Sequence, residues 1–143
     1  MRVSDLVAVK GHDVASISQE RSVTDALALL NQHHIGALVV TGIGSPLVGI
    51  MSERDVVRAL AARGASILER SVAELMSRTV TTCHGDTTVT ALMQIMTDQR
   101  IRHVPVVDGD RVVAMVSIGD VVKARLGELE HDKKELLDYV SSW

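Results

Sequence analysis

Two short sequences in this 143-residue chain carry the groups needed for polar-ligand chemistry, Ser52-x-x-Asp55 and Ser117-x-x-Asp120. Each follows an apolar, strand-like run and opens a segment of helical spacing. A hydroxyl, a carboxylate and the free backbone N–H groups of a first helical turn therefore converge at one helix N-terminus. Such a cluster can clasp a ribose and its phosphate. The same residues can equally cap the helix and do nothing more, because Ser-x-x-Asp/Glu is a capping sequence that also occurs at Ser22/Asp25, Ser66/Glu69 and Ser71/Glu74. Placement separates the first two from the rest, since only 52/55 and 117/120 stand at equivalent points of an internal repeat, just after a strand hairpin.

The remaining reactive side chains read as structural. His33-His34 and His103 invite a metal or general-base role, but adjacent histidines point to different faces of a helix, and no Asp/Glu/Cys set completes a site. Cys83 ends a strand-like run, where a cysteine serves as a small hydrophobe. Met93 and Met96 fall on the apolar face of a helix and read as packing. There is no serine nucleophile elbow, Walker loop or GxGxxG. Nothing in the sequence argues for catalysis.

The elements that position the two clasps come in duplicate. Residues 22–40 overlay residues 88–106 at an offset of 66: Val23, Thr24, Ile35 and Val40 recur as Val89, Thr90, Ile101 and Val106. Residues 48–57 then overlay 113–122 at an offset of 65, and the one-residue slip falls in a turn, where length changes are absorbed. Each copy opens with a short β run (14–17; 80–83). A helix with apolar residues at i, i+3, i+4 and i+7 follows, then two strands joined by a turn (37–40 with 47–51; 104–107 with 112–116), then a second helix (53–62; 118–126). The unit is β-α-β-β-α, twice, in an α+β chain. A unit of roughly fifty-odd residues with five short elements has little interior, so the copies are expected to pack sheet to sheet as one pseudo-twofold globule. The sequence divides into repeat one (1–63), repeat two (64–126) and a helical extension (127–143). In the extension Val122, Leu126, Leu129, Lys133, Leu136 and Val140 form a heptad seam that needs a partner.

Composition narrows the ligands. Hydrophobic residues make up 46%, enough for a core. A net charge of −3 gives no basic excess for nucleic acid, and with Trp143 and Tyr139 as the only aromatics, base-stacking platforms cannot be built. A planar ligand would lie between aliphatic side chains. One cysteine, no apolar leader after Met1 and no long apolar run fit a cytoplasmic protein that neither crosses a membrane nor is secreted.

Gly49-Ile50-Met51-Ser52-Glu53-Arg54-Asp55 resembles the terminal motif of CBS (cystathionine-β-synthase) domains, and Ile101-Arg102-His103-Val104-Pro105-Val106-Val107-Asp108 resembles their central strand motif. The likeness covers roughly residues 3–126 in tandem. It implies a CBS pair with two clefts for an adenosine ligand such as AMP, ADP, ATP, NAD(H) or S-adenosylmethionine, with no other cofactor required. Asp55 and Asp120 would accept from ribose hydroxyls, Ser52 and Ser117 would bind ribose or phosphate, and Ser16 and Thr82 would line the adenine end. Ile35, Gly36 and Ala37 in copy one, and Ile101, Arg102, His103 and Pro105 in copy two, complete the implied set. Copy two places Arg102 and His103 before its central strand, where the family often has phosphate-facing cations; copy one has Gly36 and Ala37 there, and Val39 in place of the proline. Copy one instead has Arg54 inside its clasp, where copy two has Gly119. Arg102 with His103 would therefore serve the second site and Arg54 the first, each arginine being either a phosphate ligand or a solvated side chain.

The resemblance implies a regulatory module that senses energy or redox state through a shift in dimer geometry, acting on an unidentified target protein. The alternative is a ligand-free dimerisation or interaction module in which both clasps are only caps. An enzyme is the remaining class.

Overall fold

The computed structural model describes residues 1–143. The element order is α1 (Val3–Lys10), β1 (Ser16–Ser18), α2 (Val23–His33), β2 (Ala37–Gly42), β3 (Ser45–Ser52) and α3 (Glu53–Arg63). A 3₁₀ turn (Ala65–Glu69) and α4 (Val72–Leu75) lead to α5 (Val89–Gln99), β4 (His103–Asp108), β5 (Arg111–Ser117) and α6 (Ile118–Ser141). β1 runs parallel to β2 and β2 antiparallel to β3; β4 and β5 form a separate antiparallel pair. This is the mixed α+β arrangement of two repeats, and the sheets meet along β3 and β5.

One expected strand does not form. Residues 80–83 make only a single parallel bridge, Cys83 to Val106. In copy one the Val39 N–H donates to the Ala15 carbonyl at 3.1 Å. Pro105 stands where Val39 does and has no N–H, so the equivalent bond to Thr81 cannot be made. What survives is Cys83 N–H to Pro105 O at 3.0 Å and Val107 N–H to Cys83 O at 2.9 Å.

The cores are assembled across the sequence repeats. One gathers Val3, Leu6 and Val7 of α1 with Leu92, Met96, Val104, Val116 and Val121 of the second copy. The other gathers Ile67, Val72 and Met76 with Leu30, Leu38, Met51 and Val56 of the first. Each repeat's leading segment thus seals the other's interior. Reciprocal backbone bonds fix the exchange: Val3 N–H to Thr87 O (2.8 Å) and Val89 N–H to Met1 O (3.0 Å) on one side, Val23 N–H to Arg70 O (2.9 Å) and Val72 N–H to Arg21 O (2.8 Å) on the other. With about a dozen buried residues apiece, neither core would suffice alone, and the exchange joins them. Met93 packs at the edge of the first of these cores and Met96 inside it, as filler.

The expected final helix and tail form one continuous helix of 24 residues, about 36 Å long. Its first turns pack on the body. The last tie is the Met1 amino group, 3.6 Å from Glu128, and every residue from 129 to 143 is exposed.

Candidate functional site

The strand register brings each clasp to a matching place. Ser52 pairs with Ala37 and Ser117 with His103, so each serine closes a hairpin opposite the entry of its central strand. The entry residue then caps the helix that follows: Glu53 N–H donates to Gly36 O at 2.9 Å, and Ile118 N–H to Arg102 O at 2.8 Å. At both sites the capping box is closed. Asp55 Oδ2 accepts from the Ser52 N–H (2.8 Å) and Oγ (3.0 Å), and the Asp55 N–H donates to Ser52 Oγ (3.3 Å). Ser117 and Asp120 repeat this at 2.8, 2.9 and 3.2 Å. Of the five Ser-x-x-Asp/Glu sequences only these two close reciprocally; Ser22 accepts from the Asp25 N–H alone, and Ser71 makes no side-chain cap. Every capping bond that the carboxylates accept goes to Oδ2, which leaves Oδ1 of each free to accept from a ligand.

Two clefts result, and each is built from both repeats. Cleft one, about 570 Å³, joins the Ser52–Asp55 clasp of copy one to Thr79, Val80, Thr81, Ile101 and Arg102 of copy two. Cleft two, about 860 Å³, joins Ser117 and Asp120 of copy two to Ser16, Ile35, Gly36 and Ala37 of copy one. Both volumes suit a small-molecule ligand. Gly36 and His103 line both clefts at the twofold junction, and a Cβ on Gly36 would come within 3.2 Å of the His103 ring.

Three sequence expectations are corrected. Arg102 does not face the second clasp; it shares cleft one with Arg54 and Asp55, because the twofold sets each clasp helix against the other repeat's strand entry. Thr82 lines neither cleft, its neighbours Val80 and Thr81 doing so instead, since the lost strand shifts the exposed stretch of chain. Pro105 is buried and lines neither cleft; its effect is indirect. Because it cannot donate, the Thr81 carbonyl has no intramolecular partner, and neither has the backbone of Val80.

Several site residues carry no local sequence signal. Lys10 donates to the Met115 carbonyl and, at 2.5 Å, to Asp120 Oδ2. Only the crossing of α1 into the second core brings it there, across 110 residues of sequence. No cation faces Asp55 in this way. Arg58 and Arg100 join Arg54 and Arg102 around cleft one. Arg58 had a faint signal, since it repeats Arg54 at i+4, an arrangement of like charges that costs helix stability unless something anionic offsets it. Arg100 and His34 end α5 and α2 in the left-handed region, at φ 54° and 52°, where glycine would be cheaper. Arg100 lines cleft one and His34 cleft two.

The electrostatics follow from this placement. Burial pushes the Asp120 carboxyl up, but hydrogen bonds from Lys10 and Ser117 outweigh it and hold the group below 3.8. Burial lowers the His103 imidazole from 6.5; Lys10 and Arg102 act the same way, against Glu53 and Asp120. The folded state thus favours neutral His103. Its contribution to stability is complete above pH 6.5 and is lost as pH falls below that value toward the depressed folded one. The melting temperature should decline between about pH 7 and about pH 5, and less steeply in His103→Gln. Identical slopes for the two proteins would refute the assignment. Burial raises the Cys83 thiol to about 11, which keeps it un-ionised and poorly nucleophilic near neutrality. His33, His34, His103, Asp13 and Asp120 all line cleft two, yet no three such groups stand close enough together to hold a metal ion.

The family profile for the CBS domain matches residues 3–62 and 72–127. The CBS domain-containing protein CBSX3, mitochondrial, of Arabidopsis thaliana is 36% identical over 146 residues, covering 96% of this chain and 71% of that protein. The crystal structure of the CBS-domain containing protein ATU1752 from Agrobacterium tumefaciens superposes with a TM-score of 0.84 at 44% identity, covering 87% of this chain and 92% of that one. The CBS domain pair of MJ0100, in complex with 5′-methylthioadenosine and S-adenosyl-L-methionine, gives 0.75 at 29% identity, covering 90% and 98%. PAE2072 from Pyrobaculum aerophilum, complexed with AMP, gives 0.75 at 26% identity, covering 84% and 89%.

Proposed function

The chain belongs to the CBS-domain family, with two such domains in tandem, and from that premise we propose that it is a regulatory module that binds adenosine nucleotides in its two inter-repeat clefts. The observation that carries the reading is the composition of cleft one: a free carboxylate oxygen on Asp55, aliphatic walls from Ile50, Val80 and Ile101, and the unpartnered Thr81 carbonyl. Adenine presents an amino donor where guanine presents a carbonyl acceptor, so an open carbonyl on the cleft wall favours adenine. MJ0100 and PAE2072 hold adenosine-containing molecules on the same fold, which supports this ligand class. As a member of this family the chain is read as a sensor of energy or redox state, its output passing through a dimer to a target protein.

No helix is long and apolar enough to cross a membrane. One buried thiol with no disulfide partner suits a reducing compartment such as the cytoplasm.

Thermal stabilisation of the full chain tests the reading. AMP, ADP, ATP or NADH at a hundredfold excess over Kd should add about 2.7 kcal/mol of apparent stability, and guanosine nucleotides much less. A chain that no adenosine compound stabilises would be a ligand-free interaction module, with both clasps serving only as caps.

A further inference from the structure

We propose that the two clefts are specialised, and that cleft one selects adenosine polyphosphates, the di- and triphosphate, over AMP and adenosine, whereas cleft two does not; this rests on the adenosine-nucleotide reading. The chain has eleven arginines. Six have side-chain partners: Arg21, Arg63, Arg70 and Arg125 in ion pairs, and Arg2 and Arg78 on backbone carbonyls. Of the five without, four line cleft one: Arg54, Arg58, Arg100 and Arg102. Two carboxylates, Glu53 and Asp55, oppose them there, so this cleft is cationic in a chain whose net charge is −3.

The four approach from both repeats. Arg54 and Arg58 stand one turn apart on α3, and Arg100 and Arg102 lie in the connection from α5 to β4, just before His103. Guanidinium groups with all donors unspent are suited to binding successive phosphates, and each phosphate added to the ligand gains further charge-assisted bonds. Cleft two is the internal contrast. Its lysine is already bonded to Asp120, Asp13 adds a second carboxylate, and it has no arginine. The Ala15 carbonyl, the counterpart of Thr81, is also taken by Val39. A positively charged sulfonium ligand such as S-adenosylmethionine, by the same electrostatics, is disfavoured in cleft one.

Calorimetry on the full chain in magnesium-free buffer tests the specialisation, with Ser16→Trp used to obstruct cleft two and adenosine, AMP, ADP and ATP as ligands. ATP should bind cleft one at least about tenfold more tightly than AMP, and that gain should shrink with added salt. The double variant Arg58→Ala/Arg100→Ala should lose at least about tenfold in ATP affinity, with adenosine affinity unchanged and the melting temperature not lowered. AMP and ATP binding within twofold of each other, or equal losses of ATP and adenosine in the double variant, would overturn the proposal while leaving adenosine recognition intact. Failure of all four ligands to bind would overturn both.

Discussion

Asp55→Ala should bind adenosine nucleotide in cleft one about ten- to a hundredfold more weakly than the wild type. The carboxylate has two roles at once: Oδ2 closes the cap with Ser52, and Oδ1 is left for a ribose hydroxyl. A hydrogen bond to a charged group is worth about 1.5–3 kcal/mol, which sets the size of the loss. Loss of the cap adds about 1 kcal/mol of destabilisation, seen as a lower melting temperature and separable from binding. Asp55→Asn makes the separation cleaner. Its amide oxygen can still accept from the Ser52 N–H, but the atom then facing the ligand is an amide nitrogen, a donor where the ribose needs an acceptor. The asparagine variant should melt near wild type and still lose most of the affinity. Wild-type binding by both variants, measured by calorimetry, would reduce the clasp to a cap.

Truncation after Gly127 should weaken self-association by at least about a hundredfold. Leu129, Leu136, Leu137 and Val140 are each more than half exposed on the isolated chain, and Val122 and Leu126 extend the same seam toward the body. A helix projecting without tertiary contacts gains little from its own hydrogen bonds, so its stability has to come from a packed apolar face. In the proposed dimer a second copy supplies one. Burying each aliphatic side chain is worth about 1.5–3 kcal/mol, and four removed per chain exceed the 2.7 kcal/mol that a hundredfold change requires. Lys133, at a seam position, suits an intermolecular helix pair whose register a polar residue can set. Analytical ultracentrifugation across a dilution series reads the outcome. A truncated chain as tightly dimeric as the full one would assign association to the repeats.

The duplicated architecture was legible in sequence because both copies keep the same apolar spacing: Val23, Ala26, Leu27 and Leu30 against Val89, Leu92, Met93 and Met96. The clasps were legible because Ser52/Asp55 and Ser117/Asp120 recur at matching positions. Which clasp meets which strand was not. That pairing is set by the twofold packing, and no spacing within one repeat encodes a contact between Asp55 and the residues around Arg102. Lys10 was hidden for the same reason, since α1 leaves its own repeat to seal the other core. The missing strand at 80–83 was readable in principle from Pro105, whose absent N–H removes the bond that Val39 makes in copy one. Arg100 was hidden because a left-handed helix end is a backbone property that arginine does not advertise.

Equilibrium dialysis of the nucleotide-stripped 143-residue chain against labelled ATP and AMP would decide whether the clefts are nucleotide sites at all. Saturable binding of at most two molecules per chain, displaced by unlabelled adenosine nucleotides but poorly by guanosine nucleotides and weakened by Asp55→Asn, is the expected result. Binding that never saturates, or that Asp55→Asn and Asp120→Ala together leave unchanged, would contradict it.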